Sequence, residues 1–378
     1  MSISTVKGAI GKEELKKTYV HEHLCIDLSY VKGDEDTNLN NVEEIIEELK
    51  NSTVNSIVEV TNMGMGRNIE ILKYISEKTD INIIPSTGFY KEPFLPKEIY
   101  EMNYKDIGKI IVREIIDGID GTNIKAHVIG EVGTSKDEIK PMELKVLQSA
   151  IYGHLETGHP IFTHTSLGTM ALEQLDLLKK NNVNMSKVLI GHLDLKCDYD
   201  YHLKIADSGC YIGFDTIGKT NYEKDEVKIQ HIKHLINRGH LNQIVLSQDI
   251  TRKSHLKKHG GIGYDYITEI FIPKALNKGI TEEQIKLVDT IHKHFTGEEF
   301  LQSGDFGVVP GLGKPAYTKK VEEVLADFFG TESCALVRGA GTGAIRNVMN
   351  TRLRPRDKIL IHDAPIYPTS KIIIDSMG

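Results

Sequence analysis

Six residues of the types that bind divalent metal ions recur at comparable places along the chain. They are four histidines and two acidic residues: His21, His23, Glu131, His164, His192 and Asp249. Each lies at or near the C-terminal end of a short apolar run, and helix-length segments separate the runs. Imidazoles and carboxylates are ligands of zinc and related ions, and two such ions can activate water. The spacing therefore predicts a two-metal hydrolytic site.

His21 and His23 stand two positions apart within one predicted strand. Because side chains alternate along a strand, both imidazoles face the same side and Glu22 faces the other. Two imidazoles on one side can bind the same ion. We expect Asp249 to complete this first ion site.

The second expected ion site uses His164 and His192, and Glu131 is expected to bridge the two ions together with a water-derived hydroxide. Two divalent ions carry more positive charge than these anionic groups neutralise. The surplus would stabilise the negative charge that develops on a carbonyl or phosphoryl oxygen during attack. Mixed nitrogen and oxygen ligands favour zinc, with manganese, iron and cobalt as alternatives.

Asp249 has a second predicted role. A carboxylate that binds a metal through one oxygen can accept a hydrogen bond through the other, so Asp249 is the expected general base and proton shuttle. Asp194 follows His192 by two positions. It is interpreted either as a carboxylate that supports the ligands from behind or as a solvated loop residue.

Eight short, β-rich runs position these residues, and segments of helical character separate them. The runs cover residues 17–24, 55–62, 81–88, 126–133, 160–166, 187–194, 210–217 and 243–249. Continuous apolar runs of this length are typical of parallel strands that are buried on both faces. Eight alternations of strand and helix predict an α/β fold of the (β/α)8 TIM-barrel type, in which active sites lie at the C-terminal ends of the strands.

The barrel is predicted to occupy residues 1–300. A charged, glycine-rich loop follows the eighth run, and a closing helix is expected to begin where Thr281 and Gln284 fit a capping box. One barrel of about 250 residues with an appendage accounts for the length of the chain. Residues 301–378 then form a small, incomplete α/β appendage at the C-terminus.

The bulk composition favours a small-molecule partner. Lysine and arginine number 46 against 53 aspartate and glutamate residues, which gives a net charge of −7 and argues against nucleic-acid or membrane-surface binding. The N-terminal segment lacks an apolar core, and no run approaches the roughly 20 apolar residues that span a bilayer. With four scattered cysteines, these features predict a cytoplasmic protein with reduced thiols. The sequence leaves a homo-oligomer open.

Several long strings carry a family resemblance: VHEHLCIDLS, GEVGTS, THTSLGTMALEQLDLL, GHLDLK, FDTIGK, LSQDITRKSHLK and GGIGYDY. Through them, roughly residues 15–300 resemble the phosphotriesterase family of the amidohydrolase superfamily. The resemblance implies a binuclear metal hydrolase with its ligands at the six positions named above. Much of the family bridges its ions with a carboxylated lysine, and Glu131 occupies that place here. Some members carry a histidine where this chain has Thr216, so the resemblance does not by itself imply phosphotriesterase activity.

Three cations follow the last two predicted strands. Lys219 lies after the seventh strand, and Arg252 and Lys253 lie after the eighth, where barrels often bind phosphate. Arginine can bind a carboxylate or phosphate through two hydrogen bonds, and lysine supplies a point charge. The pattern predicts an anionic substrate, such as a phosphorylated or carboxylated lactone or ester. The alternative interpretation is a solvated charged loop.

The C-terminal segment resembles the start of the large domain of fold-type I pyridoxal-phosphate enzymes. Gly341, Thr342 and Gly343 fit a phosphate-binding turn at a helix N-terminus, and Tyr367 falls near a ring-contacting position. That chemistry also needs a Schiff-base lysine, and Lys371 comes too early in the segment to serve. We therefore expect no bound pyridoxal phosphate and no independent catalysis by this appendage.

The sequence thus predicts a metal-dependent hydrolase of ester or lactone bonds. Two alternatives stay open: a mononuclear amidohydrolase that cleaves amides, and a metal-dependent binding or scaffold protein without turnover. Metal content and turnover distinguish the three.

Overall fold

The computed structural model describes residues 2–50 and 52–281, and the single positions 284, 323, 326 and 327. The chain divides into two units, Met1–Val288 and Asp289–Gly378. The predicted appendage and its glycine turn lie outside the described residues, apart from those last three single positions. Among the described helices, none combines the length and the apolar character that crossing a membrane requires.

A two-stranded sheet of β1 Ser2–Thr5 and β2 Gly8–Gly11 comes first, and eight parallel strands then form one sheet in the order of the sequence. They are β3 Thr18–Glu22, β4 Ser56–Glu59, β5 Asn82–Thr87, β6 Val128–Thr134, β7 Ile161–Thr165, β8 Val188–Ile190, β9 Tyr211–Phe214 and β10 Ile244–Leu246. Each strand falls within one of the runs expected from the sequence, extending at most one residue beyond it. The prediction of a (β/α)8 barrel is confirmed.

Helices connect the strands. They are α1 Ser29–Lys32, α2 Val42–Lys50, α3 Ile69–Thr79, α4 Tyr104–Ile116, α5 Pro141–Thr157, α6 Ala171–Lys180, α7 Tyr199–Ala206, α8 Asp225–Asn237 and α9 Ile272–Asn277. Local sequence sets their ends. The side chain of Asn103 accepts hydrogen bonds from two backbone N–H groups at the start of α4, and α5 is followed by the capping residue Gly158, whose φ of 70° suits glycine.

Side chains close the barrel where its first and last strands meet. The carboxylate of Glu22 accepts hydrogen bonds from the Ser247 hydroxyl at 2.7 Å and from the backbone N–H groups of Gln248 and Ile250 at 2.6 and 3.0 Å. The Ser247 hydroxyl in turn accepts a hydrogen bond from the backbone N–H of His21 at 3.1 Å. Glu22 faces away from the neighbouring histidines, as strand alternation predicts, and ties β3 to β10.

An N-terminal hairpin was not expected from the sequence. Strands β1 Ser2–Thr5 and β2 Gly8–Gly11 pair antiparallel. Ile3 packs against the apolar barrel cluster that includes Val58 and Ile84, and the backbone N–H of Val6 donates to the carbonyl of Ile83 at 2.9 Å. Ile83 lies near the start of its strand, so the hairpin covers the N-terminal end of the barrel. The opposite, C-terminal end stays available for a site.

The expected capping box is present. The backbone N–H of Thr281 donates to the Gln284 side chain at 2.8 Å, and the backbone N–H of Gln284 donates to the Thr281 hydroxyl at 3.2 Å. This reciprocal pair is the signature of a helix start. The rest of the expected closing helix lies outside the described residues.

Candidate metal centre

The structure brings all six candidate ligands together. His21, Glu131 and His164 lie in the strands β3, β6 and β7 themselves, and the other three follow β3, β8 and β10 within a few residues. Because all eight strands are parallel, these positions meet at one end of the barrel. Three overlapping groups have ligand atoms within 4.8 Å of one another: His21, His23 and Glu131; His21, His192 and Asp249; and Glu131, His164 and His192.

The Glu131 carboxylate lies at the middle of this cluster. Its Oε2 atom is 3.4 Å from His21 Nε2, 3.6 Å from His192 Nε2 and 3.0 Å from His164 Nδ1. Its Oε1 atom is 3.4 Å from His23 Nε2. One carboxylate therefore faces all four histidines.

The Asp249 carboxylate lies near two of these four imidazoles, those of His21 and His23. Its Oδ1 atom lies 3.3 Å from His23 Nε2 and 3.9 Å from His21 Nε2. Its Oδ2 atom accepts a hydrogen bond from the buried Lys219 ammonium. One oxygen of Asp249 thus faces the histidines, and the other is hydrogen-bonded to Lys219.

These spacings suit metal ligands better than direct hydrogen bonds. Two atoms bound tetrahedrally to one zinc at about 2.1 Å lie about 3.4 Å apart, which matches several of the nitrogen–oxygen distances above. His21 Nε2 and His23 Nε2 are fully buried and have no hydrogen-bond partner among the described residues. Buried polar atoms normally have a partner, so their donor set fits divalent ions.

The backbone adopts uncommon conformations where it presents three of the ligands. His192 and Asp249 have φ angles of 60° and 53°, a region that residues other than glycine seldom occupy. Gly130, just before Glu131, has φ of 136°, and a Cβ at this position would lie 2.1 Å from the carbonyl oxygen of Phe162. Only glycine fits there, and the register between β6 and β7 shifts across this segment.

Asp215 supports two of the ligands and was not identified from the sequence. Its Oδ1 atom accepts hydrogen bonds from the backbone N–H of His192 at 2.7 Å and from the His192 Nδ1 at 2.9 Å. Its Oδ2 atom lies 3.2 Å from His21 Nδ1. Asp215 lies in the seventh predicted run and directly follows β9, so the rule that selected the six candidate ligands, an acidic or histidine residue at a strand end, could have found it.

A second buried support lies behind His23. Its Nδ1 atom is 2.7 Å from the Thr61 hydroxyl, which donates to Glu59 at 2.6 Å. Glu59 also accepts hydrogen bonds from the backbone N–H groups of Leu24 and Thr61 at 3.2 Å each. Outer partners of this kind fix the orientation of a metal-binding imidazole. The sequence signal was again an acidic residue near a strand end, in the second run.

Electrostatics within the cluster keep the carboxylates charged. Burial alone would raise the pKa of Glu131, but His21 and His164 hold it well below its usual range. Burial also opposes charge on His23, yet the nearby carboxylates of Asp249 and Glu131 raise its pKa to about 9. Charged histidines therefore compensate these carboxylates, and a divalent ion at this site would displace their protons.

His164 is the exception among the four histidines. Burial, together with the charge of His192, lowers its pKa to about 3 despite the nearby Glu131 carboxylate. The Tyr90 hydroxyl lies 3.3 Å from its Nδ1 atom and 3.2 Å from its Nε2 atom. A neutral imidazole has a lone pair to offer, which is the form that binds metal.

Asp194 is fully buried, so the solvated interpretation of this residue is wrong. Its Oδ2 atom accepts a hydrogen bond from the Thr216 hydroxyl at 2.7 Å and lies 2.9 Å from the buried Lys228 ammonium. Lys228 also donates to the carbonyl of Thr216 at 2.6 Å. Asp194 therefore faces Thr216 and Lys228, which places it in a network beside the cluster.

The three expected substrate-binding cations have different surroundings. Lys219 pairs with Asp249, inside the cluster. The Arg252 guanidinium lies 2.7 Å from Asp34 and 3.4 Å from Asp36. Lys253 begins the short helical turn Lys253–His255. Two of the three cations are thus already compensated by carboxylates of the chain.

A parallel barrel that gathers histidines and carboxylates at the C-terminal ends of its strands is the architecture of a metal-dependent hydrolase. The sequence matches the phosphotriesterase family over residues 1–294. It is 43% identical over 274 residues to the phosphotriesterase homology protein of Escherichia coli, covering 72% of this chain and 94% of that protein. It is also 30% identical over 328 residues to the N-acetyltaurine hydrolase of Danio rerio, covering 75% and 94% of the two chains.

Solved structures agree. A crystal structure of the Escherichia coli phosphotriesterase homology protein, complexed with phosphate in its active site, has a TM-score of 0.71 at 42% identity and covers 72% of this chain and 95% of its own. A lactonase from Listeria monocytogenes has a TM-score of 0.73 at 30% identity, with 78% and 99% covered. The chain belongs to the phosphotriesterase family, and the predictions of that family and of a hydrolase acting on ester-type bonds are confirmed.

Proposed function

We propose that this chain hydrolyses an ester or lactone bond in an anionic small molecule, using two divalent ions of the zinc type. The observation that carries the proposal is the position of the Glu131 carboxylate, 3.0–3.6 Å from one nitrogen of each of four histidines. A single carboxylate that lies close to all four imidazoles is what a bridged two-ion centre requires.

The residues would divide as follows. His21, His23 and Asp249 would hold one ion, His164 and His192 the other, and Glu131 would bridge them. Bound ions of this kind lower the pKa of a water molecule and polarise a carbonyl or phosphoryl oxygen. Asp249 is the general base, because its carboxylate lies beside both His21 and His23 and is held ionised.

Lys219 supports this role of Asp249. Burial would raise the pKa of Asp249, but the Lys219 ammonium and the nearby His23 imidazole hold it well below its usual range. A base that stays deprotonated is ready to take a proton from the attacking water. The same lysine adds positive charge near the position where negative charge develops on the substrate.

An anionic substrate is supported by the cations at the C-terminal end of the barrel and by two relatives. Lys219, Arg252 and Lys253 lie on the loops after β9 and β10. The Escherichia coli relative binds phosphate in its active site, and the Listeria relative is a lactonase. A phosphorylated or carboxylated lactone combines both features.

Amide hydrolysis is the second candidate. Relatives named N-acetyltaurine hydrolase are 28–31% identical to this chain, and that name denotes cleavage of an amide. The same cluster can serve an amide, because the attacking water and the developing oxyanion are alike in both reactions.

The test is a substrate screen of the metal-loaded, full-length protein. Phosphorylated sugar lactones, acyl lactones, aryl esters and N-acyl aminosulfonates are compared, and metal content is measured by mass spectrometry on the same sample. Two ions with turnover of a lactone or ester support the proposal. One ion with amide turnover supports the second candidate, and tight binding without turnover identifies a binding protein.

A further inference from the structure

Two lysines close to the centre, Lys32 and Lys91, lack an acidic partner. Lys32 ends α1 and Lys91 follows β5, on two different loops of the C-terminal face. Neither ammonium forms an ion pair with a carboxylate within the described part of the chain. The Lys91 ammonium donates to the Ser166 hydroxyl at 2.6 Å, which leaves its charge uncompensated.

Two aromatic side chains link these lysines to His164. The Lys91 ammonium lies 5.5 Å from the centre of the Tyr90 ring, and the Lys32 ammonium lies 5.8 Å from the centre of the Phe94 ring. The two rings are 5.5 Å apart. The Tyr90 hydroxyl contacts the His164 imidazole. The four side chains Lys32, Phe94, Tyr90 and Lys91 therefore form a continuous row of contacts, here called the wall, that ends at a candidate metal ligand.

Packing of the Lys91 stem fixes its position further. A Cβ at Gly133 would lie 3.0 Å from Lys91 Cβ, so this lysine rests on the strand that carries Glu131, two residues beyond it. Ser166, which accepts its hydrogen bond, has its hydroxyl 3.4 Å from His164 Nε2. The Ser166 hydroxyl thus links the Lys91 ammonium to the imidazole of His164.

The electrostatic surroundings agree with this location. Burial lowers the pKa of Lys91, the charge of Lys32 lowers it further, and Glu131 opposes the change. Burial and the charges of Arg252 and Lys219 lower the pKa of Lys32, and Asp249 and Glu131 oppose this. An anion bound near Lys91 would offset the charge of Lys32 that acts on it.

We propose that Lys32 and Lys91 bind the anionic group of the substrate and determine its specificity, whereas Lys219 and Arg252, which pair with carboxylates of the chain, add positive charge without direct contact to that group. The inference rests on the proposed function, since it says which residues bind the part of the proposed substrate that does not react. The group that the two lysines bind is a compact oxyanion, such as a phosphate, a sulfonate or a carboxylate. Lysine suits such a group as a point charge with a movable stem.

The test compares matched aryl esters whose acyl chain ends either in an anionic group or in a methyl group. We expect Lys32→Met and Lys91→Met each to lower the ratio of kcat/KM, anionic over neutral, by about 10- to 100-fold, because each removes one charge-assisted contact. The loss should lie in KM, and Lys91→Arg should restore part of it. Separate carboxylate, sulfonate and phosphate esters show which oxyanion fits best.

Lys97→Met is the matched control. Lys97 is exposed and lies on the same loop as Lys91, at the start of the turn Lys97–Ile99, so the variant removes an equal charge away from the wall. Its ratio should equal that of the wild type. An equal loss in Lys97→Met, or an unchanged ratio in Lys91→Met and Lys32→Met, overturns the inference.

A binding measurement separates this inference from the proposed function. Isothermal titration of the metal-loaded protein with inorganic phosphate should give an affinity that falls about 10-fold in Lys32→Met and in Lys91→Met, but not in Lys97→Met. No turnover of any ester by the wild type would refute the proposed function alone. Equal phosphate affinity in all four proteins, or no phosphate binding by the wild type, would refute the role of the two lysines.

Discussion

Asp215 holds His192 through two hydrogen bonds to one carboxylate oxygen, from the backbone N–H at 2.7 Å and from the ring Nδ1 at 2.9 Å. Because a carboxylate only accepts, Nδ1 must carry the proton, and the lone pair of His192 lies on Nε2. That atom faces Glu131 at 3.6 Å. The relationship selects the tautomer in which the imidazole is ready to bind an ion.

Asp215→Asn should weaken metal binding about 10- to 100-fold, because an amide can donate to the wrong nitrogen and no longer fixes this tautomer. A competition titration against a zinc chelator measures the affinity. Asp207→Asn is a suitable control, since Asp207 is an exposed residue paired with His240 on the surface. Equal affinities in the wild type and in Asp215→Asn would remove Asp215 from the metal centre.

The fold and the position of the site could both be predicted because both follow from a barrel of buried parallel strands. Buried parallel strands give continuous apolar runs, and their C-terminal ends meet, so His21, Glu131 and Asp249 could be grouped without coordinates. The hairpin of residues 2–11 was missed because its strands are four residues long and mostly small or polar.

Supporting residues were harder to predict. Glu59 acts on His23 only through the Thr61 hydroxyl, and such a relay has no fixed spacing in sequence. In the wall, Lys32 and Phe94 lie on two loops that follow different strands. Only the packing of these loops shows that the two residues meet. The ligands follow a positional rule, whereas their neighbours depend on tertiary contacts.

Glu131→Ala tests the bridge directly. The loaded wild type should hold about two zinc ions per chain, and the variant should lose at least one, since Glu131 is the residue that faces all four histidines. Metal content is measured after gel filtration, with circular dichroism to confirm that the barrel stays folded. Two retained ions in a folded variant would show that Glu131 does not bridge.

Asp249→Asn tests the general base. The amide is nearly isosteric but cannot take a proton, so turnover should fall about 100-fold or more while the fold persists. Rates and metal content are measured on the same preparation, so that loss of an ion can be told from loss of the base. Normal turnover with both ions present would exclude this role.

His127 gives a pH-dependent contribution to stability that is independent of the centre. Burial, with a smaller effect of His159, lowers its pKa to about 4, and the backbone N–H of Ser4 in the hairpin donates to its Nδ1 atom at 3.3 Å. The unfolded chain takes up this proton near pH 6.5, whereas the folded chain does so only near pH 4. The contribution is therefore complete above pH 6.5 and is lost as the pH falls towards 4.

In His127→Gln, the free energy of unfolding should depend less steeply on pH between about 6.5 and 4. The decrease in slope should be at most about 1.4 kcal/mol per pH unit. Urea titrations at several pH values measure it, and the difference between the variant and the wild type above pH 7.5 serves as the baseline. Parallel curves for the two proteins across the window would show that His127 titrates normally.

Residues 301–378 contain Gly341–Gly343, whose sequence fits a phosphate-binding loop, whereas Lys371 comes too early in the segment to be a Schiff-base lysine. Without that covalent link, pyridoxal phosphate would be held only by contacts to its phosphate and ring. A chain that ends at Phe300 should therefore keep its metal content and its turnover. Incubation of the full-length protein with pyridoxal phosphate should give no absorbance of an internal aldimine.

The control for this truncation is the folded state of the shortened chain, measured by circular dichroism and thermal unfolding. If the shortened chain is folded and holds its ions but has lost turnover, then the C-terminal segment takes part in the reaction. A stoichiometric aldimine that borohydride reduces would likewise identify a functional cofactor site in this segment. Either result would refute the interpretation of residues 301–378 as an appendage without catalysis of its own.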